Sequence, residues 1–201
     1  MKQIDIQSND ANQRVDKFLM KTFPNLSKSM MYKAIRNKKI KVNRKRCTYD
    51  QMLVEGDSIL LFLPEEFLEM KSVSIQDNHE LDIIYEDENV LIVNKPYGLL
   101  SQSDTKDEQD CLVSRIQSYL YHSHQYDPAK EHSFTPAICH RLDRNTTGLV
   151  IAAKNANALK VINEAISNRK IHKYYKAMIQ GVLPQKEMEI TVYIKKEDTK
   201  A

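Results

Sequence analysis

The sequence predicts an α+β chain of two units. A small N-terminal unit of short helices and a β-hairpin spans residues 1–64. A mixed, mainly antiparallel β-sheet with flanking helices spans residues 81–201, and residues 65–80 link the two. Three observations carry this reading. Apolar runs of strand length, the longest being Ser58–Leu63, alternate with segments whose apolar residues recur at helical spacing. Two β-rich runs, LDIIYED and NVLIVNK, flank a short acidic turn and read as a hairpin. The charge also divides: residues 1–64 carry 13 Lys and Arg against 6 Asp and Glu, whereas residues 65–201 carry 17 against 21.

Composition bounds the function classes. The 201 residues are 41% hydrophobic and 28% charged, an ordinary soluble composition. No apolar run approaches the roughly 18 residues of a membrane span. The N-terminus, MKQIDIQSND, carries neither a signal core nor an Arg-rich transit pattern. Three widely spaced cysteines without a C-x-x-C pair fit free thiols in a reducing cytoplasm. The expected location is therefore cytoplasmic, with no membrane partner.

The elements follow in order. Gln3–Gln7 is a short strand. Val15, Phe18 and Leu19 mark a helix that Pro24 ends. Ser27 caps a second helix, Lys28–Asn37, with Met30, Met31, Ala34 and Ile35 as its apolar stripe. Ile40 and Val42 alternate with lysines in a short strand, NRKR is a basic turn, and Glu55–Asp57 turns into the strand SILLFL. A strand is expected near Ser72–Ile75. Leu112–Leu120 is helical, and His122–His132 is a loop. Ala137–Leu142 and Leu149–Ala153 are strands around a polar turn. Asn155 caps a helix to about Asn168 with Leu159, Ile162 and Ile166 on one face, and KYYKAMIQG is a strand. Met20, Met30, Met31 and Met52 read as packing residues. Only four glycines occur, so P-loop and dinucleotide fingerprints are absent.

Between Lys28 and Arg46 stand nine basic residues and no acid: Lys28, Lys33, Arg36, Lys38, Lys39, Lys41, Arg44, Lys45 and Arg46. Such density attracts a polyphosphate by counterion release. With only Tyr32 and Tyr49 nearby to stack on bases, backbone and shape recognition of a structured RNA fits better than single-strand readout. The plain alternative is a solubilising face. The order R-V-D-K-F-L, L-S-K-S-x-x-x-K-A-I, K-I-K-V-N and V-E-G-D-S-I is similar to the RNA-binding domain named after ribosomal small-subunit protein four, over residues 14–60. Lys28 stands where that family usually has Arg. Lys38-Lys39 replaces its usual Gly, from which a differently shaped loop is expected.

The second informative stretch is Ala137–Lys154. Asp143 lies between Arg141 and Arg144 in a hydroxyl-rich turn closed by Gly148. Flanking guanidinium groups favour an ionised carboxylate, which can act as nucleophile, base or oxocarbenium stabiliser. The structural alternative is a salt-bridged turn, with Thr146 and Thr147 bonded to backbone. An Asp-nucleophile phosphatase is disfavoured, because no D-x-D or companion carboxylates accompany Asp143. His122, His124, His132 and His140 match no common zinc spacing, so no metal is expected.

H-R-L-D-R-N-T-T-G-L-V-I-A-A-K resembles the signature of the RluA-type pseudouridine synthases, with Thr147 in place of the usual Ser and Ala137 where Gly is common. N-K-P-Y-G (Asn94–Gly98) resembles the family's early K-P-x-G turn, and K-Y-Y-K-A places Tyr175 on its active-site tyrosine. The resemblance implies isomerisation of uridine to pseudouridine in RNA, ribosomal RNA more than transfer RNA; a monomer is expected, with the oligomeric state left open by the sequence. The resemblance assigns Asp143 as the essential carboxylate, Tyr175 as a stacking residue that can also remove a proton, and Arg141 as the group filling the space of the flipped base. His140, Thr146, Thr147 and Lys95 would bind substrate, Lys95 being equally readable as part of a capped turn. The reaction would run through a covalent ester or a glycal. An isomerisation needs no cofactor. The family's later G-R-x-H-Q-I-R-type string is not found before Ala201, so little or no synthase activity is expected of these 201 residues. They read as a fragment, a natural truncation or a rearranged gene product. The competing function is an RNA-binding ribosome-assembly or regulatory factor with an inactive catalytic half.

Overall fold

A computed structural model describes residues 1–70, 75, 80–103, 110–182, 184–185 and 187–193. Met1–Lys170 form one compact unit and Ile171–Ala201 a second. The first unit holds two antiparallel four-stranded sheets, each over its own apolar core.

The N-terminal sheet has the order β1 (Lys2–Asp5), β4 (Ser58–Leu61), β2 (Ile40–Val42), β3 (Lys45–Arg46). Helix α1 (Val15–Thr22) buries Val15, Phe18 and Leu19, and it ends just before Pro24, whose ring cannot continue a helix. Helix α2 (Lys28–Arg36) starts where the Met30 amide donates to the Ser27 hydroxyl at 3.4 Å. Its inward residues are Met31, Ala34 and Ile35. Met30 is 36% exposed, Met20 45% and Met52 54%, so of the four methionines expected to pack only Met31 is sealed. The core continues beyond Pro64 to Leu68, with Phe67 and Met70 packed on it.

Helix α2 closes with a Schellman motif. The Lys39 amide donates to the Ala34 carbonyl at 2.9 Å and the Lys38 amide to Ile35 at 3.0 Å, with Lys38 at φ +59°. Lys38 thus takes up the left-handed conformation that glycine usually supplies. The same closure recurs at helices α3 (Leu112–His122) and α4 (Ala156–Ser167), with His124 and Arg169 in the left-handed position. A glycine-poor chain meets its helix ends with strained non-glycine residues.

The second sheet has the order β5 (Ile83–Glu86), β6 (Val90–Lys95), β8 (Gly148–Ala153), β7 (Ala137–Ile138). Leu91 and Val93 of β6 and Val150 and Ala152 of β8 face inward onto Leu112, Ile116 and Leu120 of α3. Strand β7 is shorter than the expected Ala137–Leu142, because the chain leaves the ladder to form the Asp143 turn. On α4, Leu159, Ile162 and Ile166 are only half-buried and Ala158 alone is sealed. Of the expected strand at Ser72–Ile75, residues 72–74 lie outside the described residues and Ile75 is in no strand. In the second unit residues 172–179 pair with no other described strand, so the strand expected at KYYKAMIQG is corrected: without a partner ladder no sheet hydrogen bonds form.

Within the first unit, the N-terminal module is joined by polar contacts to the module that carries the second sheet. Asp10 is fully buried and accepts from the Ser133 amide at 2.9 Å and hydroxyl at 2.6 Å. The Asn9 side chain accepts from the Ala156 amide at the start of α4 and donates to Glu131, both at 3.0 Å.

Candidate active site and nucleic-acid interface

Strand periodicity builds the first part of the site. Side chains on β6 alternate, so Leu91, Val93 and Lys95 share the inward face. A lysine therefore occupies a core position and is 0% exposed. Its ammonium donates to three carbonyls: Leu99 at 2.7 Å, and Pro96 and Arg144 at 3.0 Å. Burial pulls its pKa below the ordinary lysine value, and the Asp143 carboxylate acts in the opposite direction. Lys95 therefore does not present its charge to solvent as a substrate contact would. It holds the 96–99 turn against the Asp143 turn.

Two further clasps join these turns. The Gly98 amide donates to the Arg144 carbonyl, and Arg144 Nε donates to the Gly98 carbonyl, both at 3.0 Å. Gly98 is at φ +82°, a conformation that side chains resist. Ser101, 4% exposed, accepts from the Leu142 amide at 3.0 Å and donates to the Leu142 carbonyl. Both backbone neighbours of Asp143 are thereby fixed from inside the protein. Asp143 itself is exposed, and its backbone carbonyl accepts from Thr146 N–H at 3.1 Å.

The structural alternative, an ion pair between Asp143 and its flanking arginines, does not form among the described residues, and Arg141 is exposed. Thr147 is exposed and Thr146 half-exposed, and no side-chain hydrogen bond of either occurs among the described residues. His140 is half-buried, and its Nε2 accepts from the Ile151 amide at 3.4 Å, tying the turn to β8. Burial pushes the neighbouring Cys139 thiol up to about 11, which leaves it protonated at neutral pH. Tyr175 belongs to the second unit and is 62% exposed. Among the described residues no group of three or more His, Cys, Asp or Glu could hold a metal.

Two residues escape a reading of the sequence. Ser101 is an unremarkable serine in GLLSQSD, with no spacing to single it out. Tyr97, 70% exposed on the clasped turn, offers an aromatic face beside the Asp143 loop. The burial of Lys95, by contrast, was readable from the period-two pattern Leu91-x-Val93-x-Lys95.

The basic block forms the second part. Every one of Lys28, Lys33, Arg36, Lys38, Lys39, Arg44, Lys45 and Arg46 is exposed, and Lys41 is half-exposed over the Phe62 ring. Asn43 and Arg44, at φ +51° and +63°, form the two-residue turn between β2 and β3. Asn43 donates to buried Asp57 at 2.7 Å and accepts from the Ser58 amide at 2.9 Å, which fixes the hairpin's stance. Between α2 and residues 46–50 lies a cleft of about 830 Å³ lined by Lys33, Arg36 and Arg46. Tyr32 and Tyr49 also line it, edge to face at 5.1 Å. Arg14 lies over the Tyr49 ring and pairs with Asp16 at 2.6 Å.

Two family profiles match the chain. A family profile described as RNA pseudouridylate synthase matches residues 89–201, and an S4 domain profile matches residues 13–59. An RNA pseudouridine synthase of Mycoplasma capricolum is 39% identical over 175 residues, covering 86% of this chain and 57% of that protein. A ribosomal large subunit pseudouridine synthase C of Buchnera aphidicola subsp. Baizongia pistaciae is 32% identical over 187 residues, covering 90% of this chain and 56% of that one. The chain thus spans about half the length of the curated relatives it matches. Among solved structures, human RNA pseudouridylate synthase domain containing 4 aligns with a TM-score of 0.34 at 25% identity, over 44% of this chain and 30% of that one.

Proposed function

The chain belongs to the RNA pseudouridylate synthase family, and from that premise we propose that it serves the isomerisation of specific uridines in RNA to pseudouridine, with Asp143 as the essential carboxylate. The target nucleotide is turned out of its stack, at a cost of a few kcal/mol that favours a loop or bulge as substrate. Asp143 engages the anomeric carbon as the bond from C1′ to N1 breaks. The freed uracil turns and rejoins through C5. The proton on C5 departs and N1 gains one, so the reaction is redox-neutral and asks for no metal or redox cofactor. Arg141, exposed beside Asp143, fills the space left by the base. The resemblance of K-Y-Y-K-A to the family's tyrosine segment gives Tyr175 the role of stacking on the base and taking part in proton removal. Thr146, Thr147 and His140 line the approach.

The observation that carries this reading is the presentation of one exposed aspartate on a turn whose flanking peptides are clasped by Lys95, Gly98 and Ser101. A reacting group needs such fixed geometry, because displacement by an ångström costs about a hundredfold in rate. Lys95 and Ser101 act through Asp143 and are positioning residues. The nine cations of the N-terminal module hold the RNA backbone. Ribosomal RNA is the favoured substrate class, since that module resembles a ribosomal protein's domain and a relative carries a ribosomal name.

The test is tritium release from RNA labelled at C5 of uridine, using the longest form the gene encodes. Release by wild type that disappears in Asp143→Asn, with RNA affinity unchanged, is the expected result. Unchanged release by the variant removes Asp143 from the chemistry. RNA binding without release by wild type leaves the assembly or regulatory role.

A further inference from the structure

The described clefts include one that the reaction does not use. It measures about 930 Å³ and lies between the N-terminal module and α4. Asn12, Gln13 and Lys21 form one wall, and Asn157, Lys160 and Asn163 the other. The walls are held by the Asp10–Ser133 and Asn9–Ala156 hydrogen bonds, so the cleft is built on the contact that joins the two modules. We infer that this cleft is a second RNA contact, holding the sugar-phosphate backbone of a segment that continues from the basic cleft at α2.

Two observations select RNA as the occupant. The first is chemical. Two lysines and the side-chain amides of Asn12, Asn157 and Asn163 offer cations for phosphate together with donors and acceptors for 2′-hydroxyls, while the Gln13 amide is engaged with Asp10, Ser133 and Lys21; contacts of this kind position an RNA without reading its sequence. One acid, Glu131, shares the lining; burial pushes its carboxyl up, and Asp10 and Asp127 push it further against a hydrogen bond from Asn9. The second is continuity. Arg14 stacks over Tyr49, which lines the basic cleft, and pairs in a β-bridge with Met52, which lines this one. A chain leaving Lys33, Arg36 and Arg46 reaches Lys21 by crossing Arg14.

The cleft stands at the far end of β8 from Asp143. Helix α4 begins where β8 ends, and Gly148 at its start pairs with Lys95. The strand's rise puts the two ends about 17 Å apart. An RNA held in the cleft is therefore a remote part of the substrate, and binding energy there serves to place the uridine.

This inference rests on the proposed RNA substrate, and binding measurements on the 201-residue chain separate the two. The probe is a fluorescein-labelled RNA stem–loop with a uridine-rich loop, followed by anisotropy across a salt series. The double variant Lys21→Ala/Lys160→Ala is expected to raise Kd about five- to tenfold and to lower the slope of log K against log salt by about two. Lys21→Arg/Lys160→Arg is expected to restore both, which excludes a folding defect. If the alanine pair binds as wild type while Lys33→Ala/Arg36→Ala is weakened, the second contact is refuted and the RNA reading stands. If wild type shows no salt-dependent binding, the RNA reading itself falls, and the inference with it.

Discussion

In the N-terminal module the cations project from α2, β2, β3 and the turns between them, and the inward residues Met31, Ala34, Ile35, Ile40 and Val42 of α2 and β2 join its apolar core. Around Asp143 the arrangement is reversed. The carboxylate we propose as the reacting group sits on an irregular turn, and what holds that turn is polar and buried: Lys95 at 0% exposure and Ser101 at 4%, each bonded to backbone. A binding surface made of many cations on regular elements tolerates the loss of any one of them. A single reacting carboxylate on a loop depends on a few hydrogen bonds that have no substitutes. Substitutions that look alike should therefore differ greatly in effect between the two regions.

The largest difference is expected at lysine. Lys95→Met leaves the carbonyls of Pro96, Leu99 and Arg144 without their shared donor and should destabilise by about 3 kcal/mol. Exposed Lys39→Met should stay within about 0.5 kcal/mol of wild type. Urea unfolding of both variants checks this, and equal losses would erase the contrast. Ser101→Ala comes next. It strips partners from the Leu142 amide and carbonyl, for about 2 kcal/mol.

Glu131→Gln probes the contact between the regions. Burial raises the Glu131 pKa in the folded chain, so its stabilising contribution is present below the unfolded value and declines as pH rises through the folded one. The amide removes that loss, so the variant should gain stability relative to wild type as pH rises from 4 to 7. Thermal unfolding at the two pH values gives the sign. The smallest effect belongs to the helix ends. Lys38→Gly relieves a side chain at φ +59° and should stabilise by about 0.5 kcal/mol, less than a full left-handed penalty because glycine also frees the unfolded chain.

These contrasts also explain what the sequence could and could not reveal. The helices and the β5–β6 hairpin were legible because Phe18, Met31, Leu91 and Val93 repeat at the spacing of their elements, and Ser27 and Asn155 cap as their chemistry dictates. The Asp143 turn was legible as a motif. Its support was not, because Ser101 lies 41 positions from the residue it holds and no periodicity connects them. Arginines beside Asp143 suggested ion pairing, yet adjacency in sequence does not fix direction: Arg144 Nε turns to the Gly98 carbonyl. The strand expected at residues 173–181 had the right composition, but strand formation requires a neighbour, which composition does not encode. The Schellman ends at Lys38, His124 and Arg169 were hidden because the signal ordinarily used, glycine, is missing there.

The most direct measurement is product formation by Asp143→Asn against wild type, with RNA affinity determined on the same preparations. Pseudouridine formed by wild type, none by the variant, and a common Kd would bear out the single-carboxylate account. Pseudouridine formed equally by both would contradict it and move the chemistry to another residue.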